Sequence, residues 1–484
     1  MDEELKNLES QETWKIVERP PRVRVIGCKW VYALKEGPDG KILKFKARLV
    51  AQGFKQLHGV NYFDTTSPVV EKKTIRLLTC IAIQNDWLIH HIDVVGAYLH
   101  SKLEEEVFME IPEGLPYKRN RFVCKLLKSL YGLKQSGRNW YDFLTKLMLR
   151  LGFKKCVSEP CVYFKPDILV AIYVDDFYAA GTEAALTTFK KDIAQHVQVK
   201  DLGNVGTFLS IQFECPEKGV IFLHQSNYIM SLLADYSLID CKGTSSPLPS
   251  GNFESKVEEK CFDKETYQKA IGSLLYLSTC TRPDIALAVC KLSQFCVNPT
   301  EVHWKGVIHV LKYLKKTVNY KLSFRKRGKF TCNSDSDWAG DKITGKSITG
   351  YDLVIGGGAV SWRSRKQKCV ASSSTHAEYI ALYESACELK WLKTFMAEID
   401  HCFLLPRKPV QIFCDNQGAN SIAQNDAVKE KSKHFVVKYS FVRELVGEGE
   451  IDTVYIPSNE NCADLFTKSL TGPKTLQFSQ MLGL

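Results

Sequence analysis

Asp175 and Asp176 stand side by side where the apolar run 168–174 stops, and a second short apolar run leads on to Gly181. This pattern predicts a buried strand, a tight turn and a returning strand, with both acids at the turn. Two adjacent anions at the rim of a core repel each other and are poorly solvated, and a cation between them relieves both penalties. Hard oxygen donors in such a place suit Mg²⁺, which accepts one or two carboxylates and keeps water and substrate phosphates as its other ligands. An isolated Asp-Asp is usually a solvated surface turn, but these flanks are too apolar for that. Asp93 ends another apolar run, 88–94. Alone it reads equally well as a helix N-cap or a surface acid. His90 and His91 precede it; neighbouring side chains on a strand face opposite ways, so they are taken as structural.

A second set of acids begins after Lys329. Asp335 and Asp415 end the strand-like runs 330–335 and 410–415, while Glu378 and Asp464 stand near the starts of predicted helices. Each has an ordinary role available, capping a turn or favouring a helix dipole. Together they can converge, because strand ends and helix starts share one rim of a mixed sheet. Asp335 is preferred to Asp337 as the first acid because it ends the strand.

The elements that must position these groups follow in order. Residues 1–20 read as a short helix ending near Arg19-Pro20-Pro21, followed by a hairpin over 28–54 with its turn at Gly37-Pro38-Asp39-Gly40. Lys41, Lys44, Lys46, Arg48 and Lys55 make that hairpin basic, either as a solvated face or as a surface for phosphates. Residues 71–85 read as a helix. Residues 125–141 interleave cations and aromatics around Gly132 and Gly137, a pattern suited to backbone contact plus base stacking, and lead into a helix through Leu151. Strands and a helix fill 200–245, residues 243–251 resemble a linker, and helices are expected over 264–294 and 302–317.

The chain has 484 residues, 45% hydrophobic and 25% charged, which predicts a folded protein of two to four domains. A net charge of +11 leans towards a polyanion partner. Seventeen cysteines are scattered with no C-x-x-C pair, arguing against zinc ribbons and a disulfide framework and for a reducing compartment. The acidic, amphipathic N-terminus is unlike a signal peptide, and no apolar run approaches the ~18 residues of a membrane span. A soluble intracellular protein with no membrane partner is therefore expected.

The order of a basic hairpin, a strand ending in Asp93, Leu130-Tyr131-Gly132-Leu133-Lys134-Gln135, and Tyr173-Val174-Asp175-Asp176 resembles the reverse transcriptase of copia-type LTR retrotransposons. Residues 46–53 (Lys-Ala-Arg-Leu-Val-Ala-Gln-Gly), Ser67-Pro68-Val69-Val70, Asp93-Val94-x-x-Ala97-Tyr98-Leu99 and Thr281-Arg282-Pro283-Asp284-Ile285 resemble that family in order and spacing. The phrases around Asp335, Glu378 and Asp415 resemble its RNase H, and the likeness covers nearly the whole chain. It implies an α+β and α/β multidomain fold. Residues 1–245 would be a right-hand polymerase with fingers, palm and thumb, 246–325 a linker and helical connection, and 326–484 an RNase H-like mixed-sheet domain.

The resemblance further implies RNA-directed DNA synthesis with degradation of RNA in RNA–DNA hybrids, using two Mg²⁺ ions per active site, or Mn²⁺ in their place. Asp93, Asp175 and Asp176 would serve the polymerase, with Asp176 the more structural of the three. Asp335, Glu378, Asp415 and Asp464 would serve the RNase H. Lys46 and Arg48 would hold the triphosphate, Tyr98 would exclude a ribose 2′-hydroxyl or else act as a core aromatic, and Gln135 would lie near nucleotide and template. The implied partners are an RNA template, a DNA primer, the RNA–DNA hybrid and deoxynucleoside triphosphates. The family's polyprotein also carries a capsid part, a protease and an integrase; this sequence contains none, so capsid and integrase would come from other copies. The setting would be a cytoplasmic virus-like particle, or the nucleus. The sequence departs from the family pattern at Gly137, His376, Val436 and Ser440, none of them a proposed metal ligand. The alternative is a truncated, catalytically inactive remnant that only binds nucleic acid.

Overall fold

A computed structural model describes residues 1–36, 42–249, 260–401, 405–406, 409–424 and 433–484, without the side chains of 35, 36, 42–44 and 433–437. The expected turn Gly37–Gly40, Lys41, the Lys44 and Val436 side chains, and Ser250 and Gly251 of the expected linker lie outside the described residues. The chain is a mixture of helix and sheet forming two compact units, one of residues 1–70 and 90–203, the other of 71–89 and 204–484.

In the first unit, the expected N-terminal helix is confined to Asp2–Ser10, and Trp14–Glu18 is a strand. Leu5 and Leu8 are its buried contacts, and the β-branched and aromatic residues after Thr13 favour extension. Trp14–Glu18 joins a four-stranded sheet with Phe122–Lys128, Lys102–Glu110 and Val25–Ile26. Cys28–Glu36 and Ile42–Ala51 pair as a separate antiparallel ribbon. Its register puts Lys46 opposite Ala33 and Arg48 opposite Val31, so both cations share one face, while Tyr32, Leu34 and Phe45 share the other.

The six-stranded sheet carries the first acids. Its order is Val199–Asn204, Leu88–Val94, Asp176–Gly181, Ile168–Tyr173, Val162–Lys165 and Lys154–Lys155. Ile168–Tyr173 is apolar at nearly every position because both its faces are covered. One face packs on the helix Ser136–Arg150 through Trp140, Leu144 and Leu147, and Leu186 and Phe189 of the helix Glu183–Ala194 join the same core.

The second unit begins with the helix Lys72–Gln84, whose residues Thr74–Ile83 are all buried. A four-stranded sheet follows, in the order Thr207–Phe208, Ile211–Glu217, Val220–His224 and Leu322–Arg325. Between its third and fourth strands run the helices Ser226–Asp235, Lys264–Cys280, Ala286–Ser293 and Glu301–Lys316, which share one apolar core. Arg282 and Asp284 are buried there as a bidentate pair, at 2.9 and 2.6 Å, closed by Tyr313 and Thr317.

The same unit holds a five-stranded mixed sheet ordered Gly358–Lys366, Ile348–Ile355, Thr331–Ser336, Val410–Cys414 and Ile451–Tyr455. The first three strands are antiparallel and the last three parallel. The long helix Ser374–Glu398 packs on it, started by Ser373, whose hydroxyl accepts the His376 amide at 3.2 Å. Among the described residues, no helix is long and apolar enough to cross a membrane.

Candidate active sites

The turn between Ile168–Tyr173 and Asp176–Gly181 is two residues long, because Tyr173 pairs with Asp176. Val174 takes its first central position with φ +56°, a left-handed conformation that a β-branched residue adopts only under constraint. The constraint is visible: the buried Trp140 indole N–H donates to the Val174 carbonyl at 2.7 Å. The turn thereby presents Asp175 at the sheet rim, while Asp176 belongs to the returning strand. Asp93 comes alongside on the neighbouring strand, where the Val94 amide donates to the Asp175 carbonyl at 2.7 Å. Burial raises the Asp175 pKa from its ordinary value, and the Asp176 and Asp93 charges add to the effect.

The other expected polymerase residues divide. Arg48 lies over the Tyr131 ring at 5.1 Å, and Tyr131 meets Tyr98 edge-on at 5.0 Å between centroids. Burial, then the Asp175 charge, raises the Tyr98 hydroxyl pKa. Partial burial and the Arg48 charge lower the Lys46 pKa, against the pull of Asp93. The Arg48 charge thus reaches Lys46, Tyr98 and Asp175, and the Asp93 charge reaches Lys46 and Asp175. Gln135 is 1% exposed, accepting from the Gln56 amide at 3.0 Å and donating to the Asn61 carbonyl at 2.8 Å. Asp176 is hydrogen-bonded to the ring Nε2 of His91 at 2.8 Å, and Asp93, Asp175 and Asp176 do not form a tight trio.

The second set converges more closely. Single oxygens of Asp335, Asp415 and Asp464 lie within 4.8 Å of one another, and Glu378, Cys414 and Asp415 form an overlapping group. Strand Thr331–Ser336 delivers Asp335, the parallel strand Val410–Cys414 delivers Asp415 just beyond its end, and helix Ser374–Glu398 delivers Glu378. Asp464 stands on the short 3₁₀ turn Cys462–Phe466 rather than on the last helix, Gly472–Met481. Asn461 fixes that turn to the sheet, donating to the Ser334 carbonyl at 3.0 Å and accepting from the Ala463 amide at 3.1 Å. Asp335 joins the group, whereas Asp337 turns to the Ile348 amide.

Burial pushes the Asp335 pKa up to about 7, with Asp464 and Asp415 adding and Lys468 opposing. Burial, then Asp335 and Asp415, holds Glu378 well above the usual range. Buried carboxylates that repel one another in this way are a donor set for a hard divalent cation such as Mg²⁺ or Mn²⁺. Three residues went unforeseen. Lys468 bonds both Asp335 (3.2 Å) and Asp464 (2.6 Å), Thr467 donates to Asp335, and Ser458 donates to Asp415 at 2.5 Å. Only Lys468 carried a signal, its i,i+4 spacing from Asp464.

Residues 11–250 match the family model for "Reverse transcriptase (RNA-dependent DNA polymerase)". The chain is 38% identical to the retrovirus-related Pol polyprotein from transposon TNT 1-94 of Nicotiana tabacum, across 100% of this chain and 37% of that protein. It is 30% identical to the putative transposon Ty5-1 protein of Saccharomyces cerevisiae, across 62% of this chain and 100% of that one. The chain belongs to the reverse transcriptase family of copia-type retrotransposon Pol polyproteins. It spans little more than a third of the tobacco polyprotein's length. Among solved structures, the foamy viral protease–reverse transcriptase dRH in complex with ds DNA is similar at a TM-score of 0.49 and 11% identity, over 93% of this chain and 68% of that one.

Two of the phrases typical of this reverse transcriptase family meet in space. The Ala51 amide donates to the Tyr131 carbonyl at 2.8 Å, and Gly132, at φ +91°, lies so close that a Cβ there would be 2.1 Å from the Ala51 carbonyl oxygen. The Lys-Ala-Arg ribbon and the Leu-Tyr-Gly-Leu loop are thus joined backbone to backbone. That junction sets Arg48 over Tyr131, beside Tyr98.

Proposed function

We propose that this chain is an RNA-directed DNA polymerase with ribonuclease H activity, acting on an RNA template, a DNA primer and the resulting hybrid. The observation that carries the polymerase half is the meeting of Asp175, held by a strained turn, with Asp93, Arg48 and Tyr98 in a chain of the reverse transcriptase family. For the hydrolytic half it is the convergence of Asp335, Glu378, Asp415 and Asp464 at one sheet edge. Asp93 and Asp175 would hold divalent metal in the first site, and the four acids in the second. Metal bound there supplies Lewis acidity for the attacking hydroxyl or water and neutralises charge on the phosphate undergoing substitution.

The chain's own groups do the positioning. Arg48 offers a guanidinium to the triphosphate, and its stacking on Tyr131 limits the freedom lost on binding. Lys46 adds a second cation from the same ribbon face. Tyr98 stands beside Arg48 and Asp175, where its bulk would meet a ribose 2′-hydroxyl. His91 engages Asp176 at 2.8 Å, which suits a structural role for Asp176. Gln135 would act by holding the loop 56–61 rather than by touching nucleotide. The functional division into 1–245, 246–325 and 326–484, and a cytoplasmic virus-like particle as the setting, belong to the same proposal.

The test is primer extension on a poly-ribonucleotide template with Mg²⁺, comparing the wild type with Asp175→Asn. Extension by the wild type alone supports the assignment. Salt-dependent hybrid binding by both with extension by neither favours an inert nucleic-acid-binding remnant.

A further inference from the structure

Lys468 contributes its ammonium to the middle of the second acidic group. It reaches Asp335 at 3.2 Å and Asp464 at 2.6 Å, carboxylates from a strand and a 3₁₀ turn more than a hundred residues apart in sequence. Asp335 is completely buried and Asp464 nearly so, while the lysine stem remains partly open to solvent. Four carboxylates in one place repel, and desolvation forbids them from sharing that charge with water. A flexible primary ammonium on a four-carbon stem is the side chain best suited to sit among them and to leave again. Beyond the two acids, its ammonium makes no hydrogen bond among the described residues.

We infer that Lys468 is a tethered counter-cation, holding the Asp335–Asp464 pair together without metal and giving way when a divalent ion enters. It is a positioning residue that tunes metal affinity; it is not a catalytic one. The inference rests on the proposal that this group binds metal. An ammonium and a divalent ion competing for the same oxygens must each weaken the other. Lys468 therefore sets the divalent concentration at which the site fills.

The test is Mn²⁺ binding by the full chain, read from the free-ion EPR signal, together with thermal unfolding in EDTA and in Mg²⁺. The proteins are the wild type, Lys468→Met, Lys468→Arg and Asp335→Asn. Lys468→Met is expected to bind Mn²⁺ more tightly by about tenfold, the factor of a coupling worth one pKa unit. It should melt earlier than wild type in EDTA and gain more from Mg²⁺, with Lys468→Arg close to wild type. If Lys468→Met is unfolded in EDTA, recovery of the fold on adding Mn²⁺ supports the inference and failure to recover overturns it. Equal or weaker Mn²⁺ affinity in Lys468→Met, where Asp335→Asn loses a site, overturns the inference alone. If Asp335→Asn binds as many ions as wild type, the metal-site proposal itself has failed.

Discussion

Replacing Gly132 by alanine tests whether the two family phrases act as one unit. At φ +91° an L-residue is strained by roughly 1–2 kcal/mol. The added Cβ would meet the Ala51 carbonyl oxygen at 2.1 Å and the Val50 side chain at 2.7 Å. Backbone cannot rotate away as a side-chain tip can, so relief means parting the loop from the ribbon, at about 1–3 kcal/mol for comparable overpacking. Parting them also breaks the bond from the Ala51 amide to the Tyr131 carbonyl, worth about 1 kcal/mol. The loss should therefore be about 3–6 kcal/mol, a large share of a domain's stability. Gly59→Ala is the control: its φ is +79° but nothing lies within 4 Å of the added carbon, so only the backbone strain should appear. Urea unfolding measures both variants. In primer extension Gly132→Ala should also raise the KM for nucleotide, because Arg48 loses its support on Tyr131. Equal unfolding midpoints for the two variants, with unchanged KM, would refute the coupling.

Trp140→Phe removes the indole donor that holds the Val174 carbonyl, leaving it unpaired beside the core. We expect a loss of about 1–2 kcal/mol in urea unfolding and a several-fold drop in primer-extension kcat, with nucleotide KM little changed. Asp352 predicts a pH dependence. It is fully buried with Asn333 as its hydrogen-bond donor at 2.8 Å, and burial raises its pKa from 3.8 to about 7. Between those values the native state keeps a proton that the unfolded state has lost. The resulting stability is present below the unfolded pKa and disappears as pH rises through about 7, a change of about 4 kcal/mol. Asp352→Asn should remove that slope, so urea midpoints from pH 4 to pH 8 should fall less steeply than in the wild type.

The acids were legible because each ends an apolar run or starts a helix, and both signals are local. The helix Lys72–Gln84 was equally clear from its apolar spacing. Its place in the second unit was not, because that depends on long-range contacts: Arg76, for example, is buried against the Thr279 and Cys280 carbonyls and stacks on Trp362 at 3.9 Å. The pairing of Val220–His224 with Leu322–Arg325 was hidden for the same reason, with a whole helical segment between them. Residues 125–128 read as the start of a basic, aromatic stretch leading into a helix but form the end of a strand, since their partners lie at Trp14–Glu18 and Lys102–Glu110. Gln135 was singled out by the family resemblance; its burial, which follows from Gln56 and Asn61 far away in sequence, was not legible. Lys468 escaped notice because a lysine after an acid is ordinary, and only the fold brings Asp335 to it.

The proposed function gives one chain two phosphate-chemistry sites. Its most direct test measures DNA synthesis and RNA cleavage on the same hybrid with wild type, Asp175→Asn and Asp335→Asn. Asp175→Asn should lose synthesis and keep cleavage, and Asp335→Asn should do the reverse. Loss of both activities in either variant, or of neither, would contradict the claim.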